Sequence, residues 1–137
     1  MTPETIAAYA AGFFDGEGYV GLLKRKRGTS IEYFVQVSIG QNDGNIMDWV
    51  KENFGGNLYV VKRDGSFYWT ISNRAAYKFL KRVLPYLKYK KPQAELALQF
   101  FDGRPNTKHL LPEEYERREQ IYLALKAQKK IFSPSLL

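Results

Sequence analysis

Residues 10–18 read Ala-Ala-Gly-Phe-Phe-Asp-Gly-Glu-Gly, and no other run constrains the fold of this chain so tightly. The run begins as a helix with small residues, Ala8, Ala11 and Gly12, on one side. It ends in two acids, Asp15 and Glu17, set among Gly16 and Gly18. Small residues let a second backbone approach closely, and an acid just past a helix end can be pushed outward into a shared site. Negative charge at a helix C-terminus opposes the helix dipole. Acids collected there are therefore better explained by a divalent cation, which takes carboxylate and carbonyl oxygens. The bland alternative is a solvated acid in a glycine-rich turn. A single glutamate and one carbonyl would hold a cation only weakly. Two copies of the helix, packed through Ala8, Ala11 and Gly12, would bring two Glu17 side chains together.

A chain of 137 residues is one domain's worth, and its 45% hydrophobic and 15% aromatic content can fill a core. The absence of cysteine excludes disulfides and thiolate metal sites. The opening Met-Thr-Pro-Glu-Thr lacks the basic-then-apolar order of a signal peptide, and no apolar run approaches the ~20 residues of a membrane span. A soluble, intracellular protein with no membrane partner is expected. The net charge of +7 favours a polyanionic partner, and its distribution says more than its total. Lys24 to Arg27 form one basic run, Lys88, Lys90 and Lys91 a second, and Lys126, Lys129 and Lys130 a third. Two of them adjoin strand ends or loops with tyrosines, which suits phosphate contacts.

Thr2-Pro3-Glu4 is a helix start, with a hydroxyl cap, a proline at the first position and an acid matching the dipole. Ile6, Tyr9, Ala10, Phe13 and Phe14 follow at helical spacing, and the helix is expected to end by Gly16. Residues 18–27 read as a strand that turns through Gly28-Thr29-Ser30. Residues 31–41 alternate, with Tyr33, Val35, Val37 and Ile39 on one face and Glu32, Phe34, Gln36 and Ser38 on the other. Asn42-Asp43 caps a second helix that Gly55-Gly56 stops. Strands over 58–62 and 67–72 flank Asp64-Gly65, a two-residue turn signal. A third helix starts at Ser72 or Asn73 and halts near Pro85; helices over 92–101 and 112–131 follow, then a frayed tail at Ser133-Pro134-Ser135. The order αββαββα predicts an α+β fold with helices on one face of a mostly antiparallel sheet. The opposite face, polar and flanked by lysines, fits a duplex groove.

The helix-end acids and the strand that follows them resemble the LAGLIDADG motif of homing endonucleases, with Ala10 at the usual leucine and Glu17 at the usual final aspartate. The resemblance implies one endonuclease domain over residues 1–137, with an αββαββα core over about 3–101, a saddle-shaped sheet and C-terminal helices over about 92–131. The family carries two motifs in one chain or one per subunit, so the single motif here implies a homodimer built on the first helices through Ala8, Ala11, Gly12 and Asp15. It implies a site-specific double-strand DNA endonuclease using Mg²⁺, with Mn²⁺ able to substitute, that leaves short 3′ overhangs at a long pseudo-palindromic site. Glu17 and the Gly16 carbonyl would hold metal. Gln41 resembles the polar residue that orders water beside the scissile phosphate. Lys90 resembles the active-site lysine, with Lys88 and Lys91 as rivals; any of the three could equally do no more than grip phosphate. Asn45 stands where some relatives carry a supporting basic residue. An intron RNA maturase, or a DNA-binding regulator that does not cut, is the alternative on the same fold.

Arg25, Arg27, Gln36, Ser38, Arg63, Tyr68 and Thr70, with Lys88, are the expected DNA contacts, since arginine favours guanine and glutamine favours adenine. Leu23 and Phe34 on the same face suit thymine methyls. Phe100-Phe101-Asp102-Gly103 repeats the letters of residues 13–16, but Arg104 replaces the essential acid, so this is a helix end. His109, the only histidine, is expected to be structural or idle.

Overall fold

The computed structural model describes residues 1–103 and 110–131. Arg104, His109 and the tail Ser133-Pro134-Ser135 lie outside them. Helix α1 (Pro3–Glu17) leads into strands β1 (Gly18–Arg27) and β2 (Ser30–Gln41), then helix α2 (Gly44–Phe54). Strands β3 (Asn57–Val60) and β4 (Phe67–Ser72) precede helix α3 (Asn73–Val83), a 3₁₀ turn at Leu84–Tyr86, α4 (Lys91–Phe100) and α5 (Pro112–Ile131). The four strands form one antiparallel sheet in the order β1-β2-β4-β3. The αββαββα order and the α+β class follow the sequence reading. No described helix is long and apolar enough to cross a membrane.

The caps form as the residue types dictate. Thr2 Oγ1 accepts from the Thr5 amide at 3.1 Å, and Asp43 Oδ1 accepts from the Asn45 and Ile46 amides at 2.8 and 3.3 Å. Helix α1 runs through Glu17, one residue past the expected end at Gly16. The Gly18 amide still donates to the Phe14 carbonyl, and the chain leaves the helix only where Gly18 turns extended. A side chain at Gly18 would collide with the buried Phe14 ring.

Alternation in β2 sends Tyr33, Val35, Val37 and Ile39 into the core, where they meet Val20 and Leu22 of β1 and Trp69 and Ile71 of β4. The helices cover this face. Phe79 of α3 is the aromatic hub, with ring centroids 5.3 Å from Phe14, 5.0 Å from Phe54 and 5.4 Å from Trp69. One side chain thus joins α1, α2, α3 and the sheet. Trp69 is fully buried, and its indole N–H donates to the Gly55 carbonyl at 2.7 Å. That bond draws the end of α2 onto β4, and Gly56 (φ +92°) passes so close to Ile71 and Trp69 that no side chain fits there.

The hairpin between β3 and β4 departs from expectation. Strand β3 stops at Val60 rather than Lys62, and residues 61–66 make the connection in place of a two-residue turn. Asp64 Oδ1 accepts from the Ser66 amide at 3.0 Å and its hydroxyl at 2.7 Å. This local bond competes with the strand ladder and widens the loop.

At the other edge, α5 packs on α4 and β1. Buried Arg118 donates to Glu114 at 3.0 Å, and Arg117 caps α4 by donating to the Gln99 and Phe100 carbonyls, each at 2.9 Å. Glu119 accepts from Lys24 at 2.8 Å and from the Tyr33 hydroxyl at 2.7 Å. Those hydrogen bonds, Lys24 first, hold the Glu119 carboxyl below the usual range, while burial and this acceptor push the Tyr33 phenol up.

Two substitutions test this packing. Phe79→Ala is expected to cost about 3–5 kcal/mol in urea unfolding, because it empties the junction of four elements. Gly18→Ala is expected to cost about 1–3 kcal/mol by forcing the buried Phe14 ring aside; an unchanged midpoint would show that the ring can move.

Candidate active site and nucleic-acid interface

Glu17 is the last residue of α1, and its side chain is exposed. The last carbonyls of a helix lack partners inside it. Here the Phe14 carbonyl accepts from Gly18, and the Asp15 carbonyl accepts from Lys90 Nζ at 2.8 Å. The Gly16 and Glu17 carbonyls come next at the open end. Glu17 and Gly16 therefore present hard oxygen donors. Among the described residues, no group of three or more acid, histidine or cysteine side chains gathers to hold a metal ion.

Asp15 has a role the sequence did not disclose. Its Oδ2 accepts from the Lys88 amide at 2.8 Å and its Oδ1 from the Lys90 amide at 2.9 Å. Both carboxylate oxygens are thus engaged within their own chain. Beside the expected part at a dimer interface, this side chain fastens residues 88–90 to the end of α1. No spacing in the sequence links residue 15 to residue 88.

The same fastening separates the three candidate lysines. Lys88 and Lys91 are exposed, whereas Lys90 is half-buried with its ammonium on the Asp15 carbonyl. Burial pushes the Lys90 pKa down, and the opposing attraction of Asp15 and Glu17 does not cancel it. Gln41 ends β2, and because Gly18 pairs with Ile39, it lies at the Glu17 end of the sheet. Its Oε1 accepts from the Asn42 amide at 2.7 Å, which leaves the amide nitrogen free to turn outward. Asn45 is exposed in the first turn of α2.

On α1 the three small residues part company. Ala8 and Gly12 are exposed, and a methyl group added at Gly12 or Gly16 would touch nothing. Ala11 is fully buried in the core of its own chain, which corrects its assignment to a dimer interface. Positions 8, 12 and 16 share a face at four-residue spacing, while position 11 turns inward.

The sheet face opposite the core carries most of the expected DNA-reading residues. Arg25, Arg27, Gln36, Tyr68 and Thr70 lie on it, and Arg63 is exposed in the 61–66 connection. Gln36 Nε2 donates to Thr70 Oγ1 at 2.9 Å, and Thr70 donates to the Val37 carbonyl at 3.3 Å, so these two side chains are already oriented. The Tyr68 ring packs against Tyr59, with centroids 5.3 Å apart. Ser38 is corrected: it shares this face, between Tyr19 and Thr70 in the ladder, but is only 4% exposed and cannot reach a groove. Lys24 is also removed from the phosphate-binding set. Alternation turns it to the helix side, where it meets Glu119 and lies 4.2 Å from the Tyr122 ring.

A profile of the LAGLIDADG endonuclease family matches residues 10–104. No curated protein matches the sequence. Among solved structures, the homing endonuclease I-CvuI in complex with the I-CreI target is similar at a TM-score of 0.83 and 22% identity, over 92% of this chain and 83% of that one. The archaeal intron-encoded homing endonuclease I-Vdi141I, complexed with DNA, gives 0.80 and 18%, over 93% and 86%. The meganuclease I-SmaMI, bound to uncleavable DNA, gives 0.73 and 17%, over 87% of this chain and 44% of that one. These likenesses establish the fold, and the profile spans well over half of the residues. The chain belongs to the LAGLIDADG endonuclease family.

Proposed function

We propose that the protein is a site-specific double-strand DNA endonuclease that works as a homodimer and leaves short 3′ overhangs. The observation that carries this reading is the convergence at one sheet end of an exposed Glu17, a half-buried Lys90 and Gln41, beside a sheet face of polar side chains. The family membership and the DNA complexes of the structural neighbours support it.

The dimer is supported by the composition of α1. Each glycine inside a helix costs roughly 0.8–1 kcal/mol relative to alanine. Nothing in the chain requires glycine at position 12 or 16, since an added methyl meets no atom at either. Close approach of a second α1 explains both. That this chain covers 44% of I-SmaMI agrees with a unit that is used twice.

Mg²⁺, or Mn²⁺ in its place, fits the donor set, because Glu17 and Gly16 offer only hard oxygens, and the described residues of one chain gather too few of them. Two Glu17 side chains and the phosphate oxygens would complete the site. When bound, the cation supplies Lewis acidity and neutralises charge at the phosphate. Gln41 orients water for in-line attack on phosphorus, and the bond to the 3′ oxygen breaks. The Lys90 ammonium stabilises the negative charge that builds on the phosphorus centre. The exposed side chains of the sheet hold each half-site in its major groove.

Glu17→Gln is expected to abolish cleavage of a selected target while Kd stays within about threefold, since it removes charge and preserves shape. Loss of both properties, or of neither, removes Glu17 from its role. Gly12→Leu is expected to leave the melting temperature of the monomer unchanged or higher and to abolish the dimer in sedimentation; a persistent dimer would rule out α1 as the interface.

The lowered Lys90 pKa gives a pH signature. The ammonium is lost as pH rises through a value below the ~10.4 of free lysine. Cleavage should therefore fall on the alkaline side earlier than an ordinary lysine dictates, and Lys90→Arg should move that limb upward in a pH–rate profile. The stability term has the opposite sense. The unfolded chain holds this proton to higher pH than the native one, so between the two pKa values stability rises with pH.

A further inference from the structure

The tip of the β1–β2 hairpin carries a charged constellation that the rest of the sheet face lacks. The ladder sets Arg25 opposite Glu32 and Leu23 opposite Phe34. Glu32 Oε1 accepts from Arg25 Nη2 at 3.0 Å, and Glu32 Oε2 accepts from Arg27 Nε at 3.0 Å. The Arg25 guanidinium also lies 5.0 Å from the centre of the Phe34 ring. Glu32 is 23% exposed, against 52% for Arg25 and 71% for Arg27. The hydrogen bond from Arg25 keeps the Glu32 carboxyl ionised to lower pH than usual.

Exposed ion pairs contribute only about 0–1 kcal/mol to stability. This one does more to orient its members than to hold the fold. Arg25, fixed by Glu32 and Phe34, still has guanidinium N–H groups to offer. The carboxylate, held from both sides, still has lone pairs. A donor fork beside a fixed acceptor matches one base pair in the major groove. Guanine presents two acceptors, N7 and O6, and cytosine presents the N4 amino donor next to them. Adenine would set its N6 donor against the fork, and thymine would set a carbonyl and a methyl against the carboxylate.

The position along the duplex follows from strand geometry. At about 3.3 Å per residue, the run from residue 17 to residue 25 carries the side chain about 26 Å outward, or about eight base pairs at roughly 3.4 Å each. The face between carries neutral groups, among them Tyr19, Gln36, Tyr68 and Thr70.

We infer that Glu32 is a specificity-determining residue, which accepts from cytosine N4 while Arg25 donates to guanine of the same G·C pair, about eight base pairs outside each cut. Arg27 steadies the carboxylate from the other side. This inference rests on the endonuclease reading above and extends it to one position of the target.

The test is a metal-free binding selection from randomised duplexes, which needs no cleavage, run on the wild-type protein, Glu32→Gln and Arg25→Gln. The wild type should favour G·C over other pairs by about five- to a hundredfold at one position per half-site, about seven to nine pairs outside each cut. Glu32→Gln should reduce that preference at least fivefold without weakening binding to other sequences. Arg25→Gln should abolish the preference for guanine without a gain for A·T, because Glu32 still sets its carboxylate against thymine O4. An unchanged profile for Glu32→Gln, or no G·C preference there in the wild type, overturns the inference and leaves the endonuclease reading standing. Failure of every form to bind duplex DNA overturns both.

Discussion

Two backbone amides, those of Lys88 and Lys90, converge on the single carboxylate of Asp15 at the C-terminal end of α1. By its dipole, a helix end is a poor place for negative charge. Hydrogen bonds to an ionised acceptor, roughly twice as strong as neutral ones, outweigh that penalty. The consequence runs in both directions. The segment after α3 is fixed against the start of the sheet, and Lys90 is placed with its ammonium on the Asp15 carbonyl. The partly buried lysine then loses some hydration, which lowers its pKa. The position of Lys90 thus descends from one acid, Asp15, and burial there lowers its pKa against the attraction of Asp15 and Glu17.

Much of the fold is legible in the sequence because period and capping are local. The alternation of Tyr33, Val35, Val37 and Ile39 names the core face of β2, and Asp43 with Gly55 bounds α2. The helix over 112–131 runs to the ends its pattern predicts. The departures have physical causes of one kind: a partner distant in sequence, or a neighbour that competes with the ladder. Asp64 spends its carboxylate on Ser66 and widens a loop that the Asp-Gly pair marks as tight. Lys24 resembles its three cationic neighbours in sequence, yet strand alternation and Glu119, far along the chain, hold it on the helix side of the sheet, away from the polar face. Ala11 resembles Ala8, yet three residues of helix turn it from solvent into the core. Of the candidate site, the motif points to Glu17, and the family resemblance points to a lysine among Lys88, Lys90 and Lys91. The reason Lys90 stands apart from Lys88 and Lys91 cannot be read there, because it lies in Asp15.

The two faces of the sheet are solved by different physics. The core face relies on burial and on the T-shaped contacts around Phe79. The other face is held by side-chain hydrogen bonds and ring contacts: Gln36 to Thr70, Thr70 to the Val37 carbonyl, Tyr68 against Tyr59, Arg25 between Glu32 and Phe34. Ordering a side chain at an interface costs about 0.5–1.5 kcal/mol. A surface whose groups are oriented before binding has already met much of that cost, and a wrong base pair then faces fixed donors and acceptors that cannot turn away.

On the proposed reading, assembly and chemistry are linked by charge. Two Glu17 carboxylates brought to one place repel each other, and the helix dipoles of two α1 C-termini add to that repulsion. A divalent cation between them removes the repulsion, and DNA phosphate alone increases it. Whatever binds the assembled form more tightly than the separate subunits must also tighten assembly by the same factor. Cation and dimer are therefore each other's effectors, and the described residues of a lone subunit gather too few ligands around the exposed Glu17 to hold the ion. The glycines at positions 12 and 16 suit this arrangement. They contribute no side-chain attraction that would hold the pair together without the ion, and they allow the backbones to come close enough for the acids to share it.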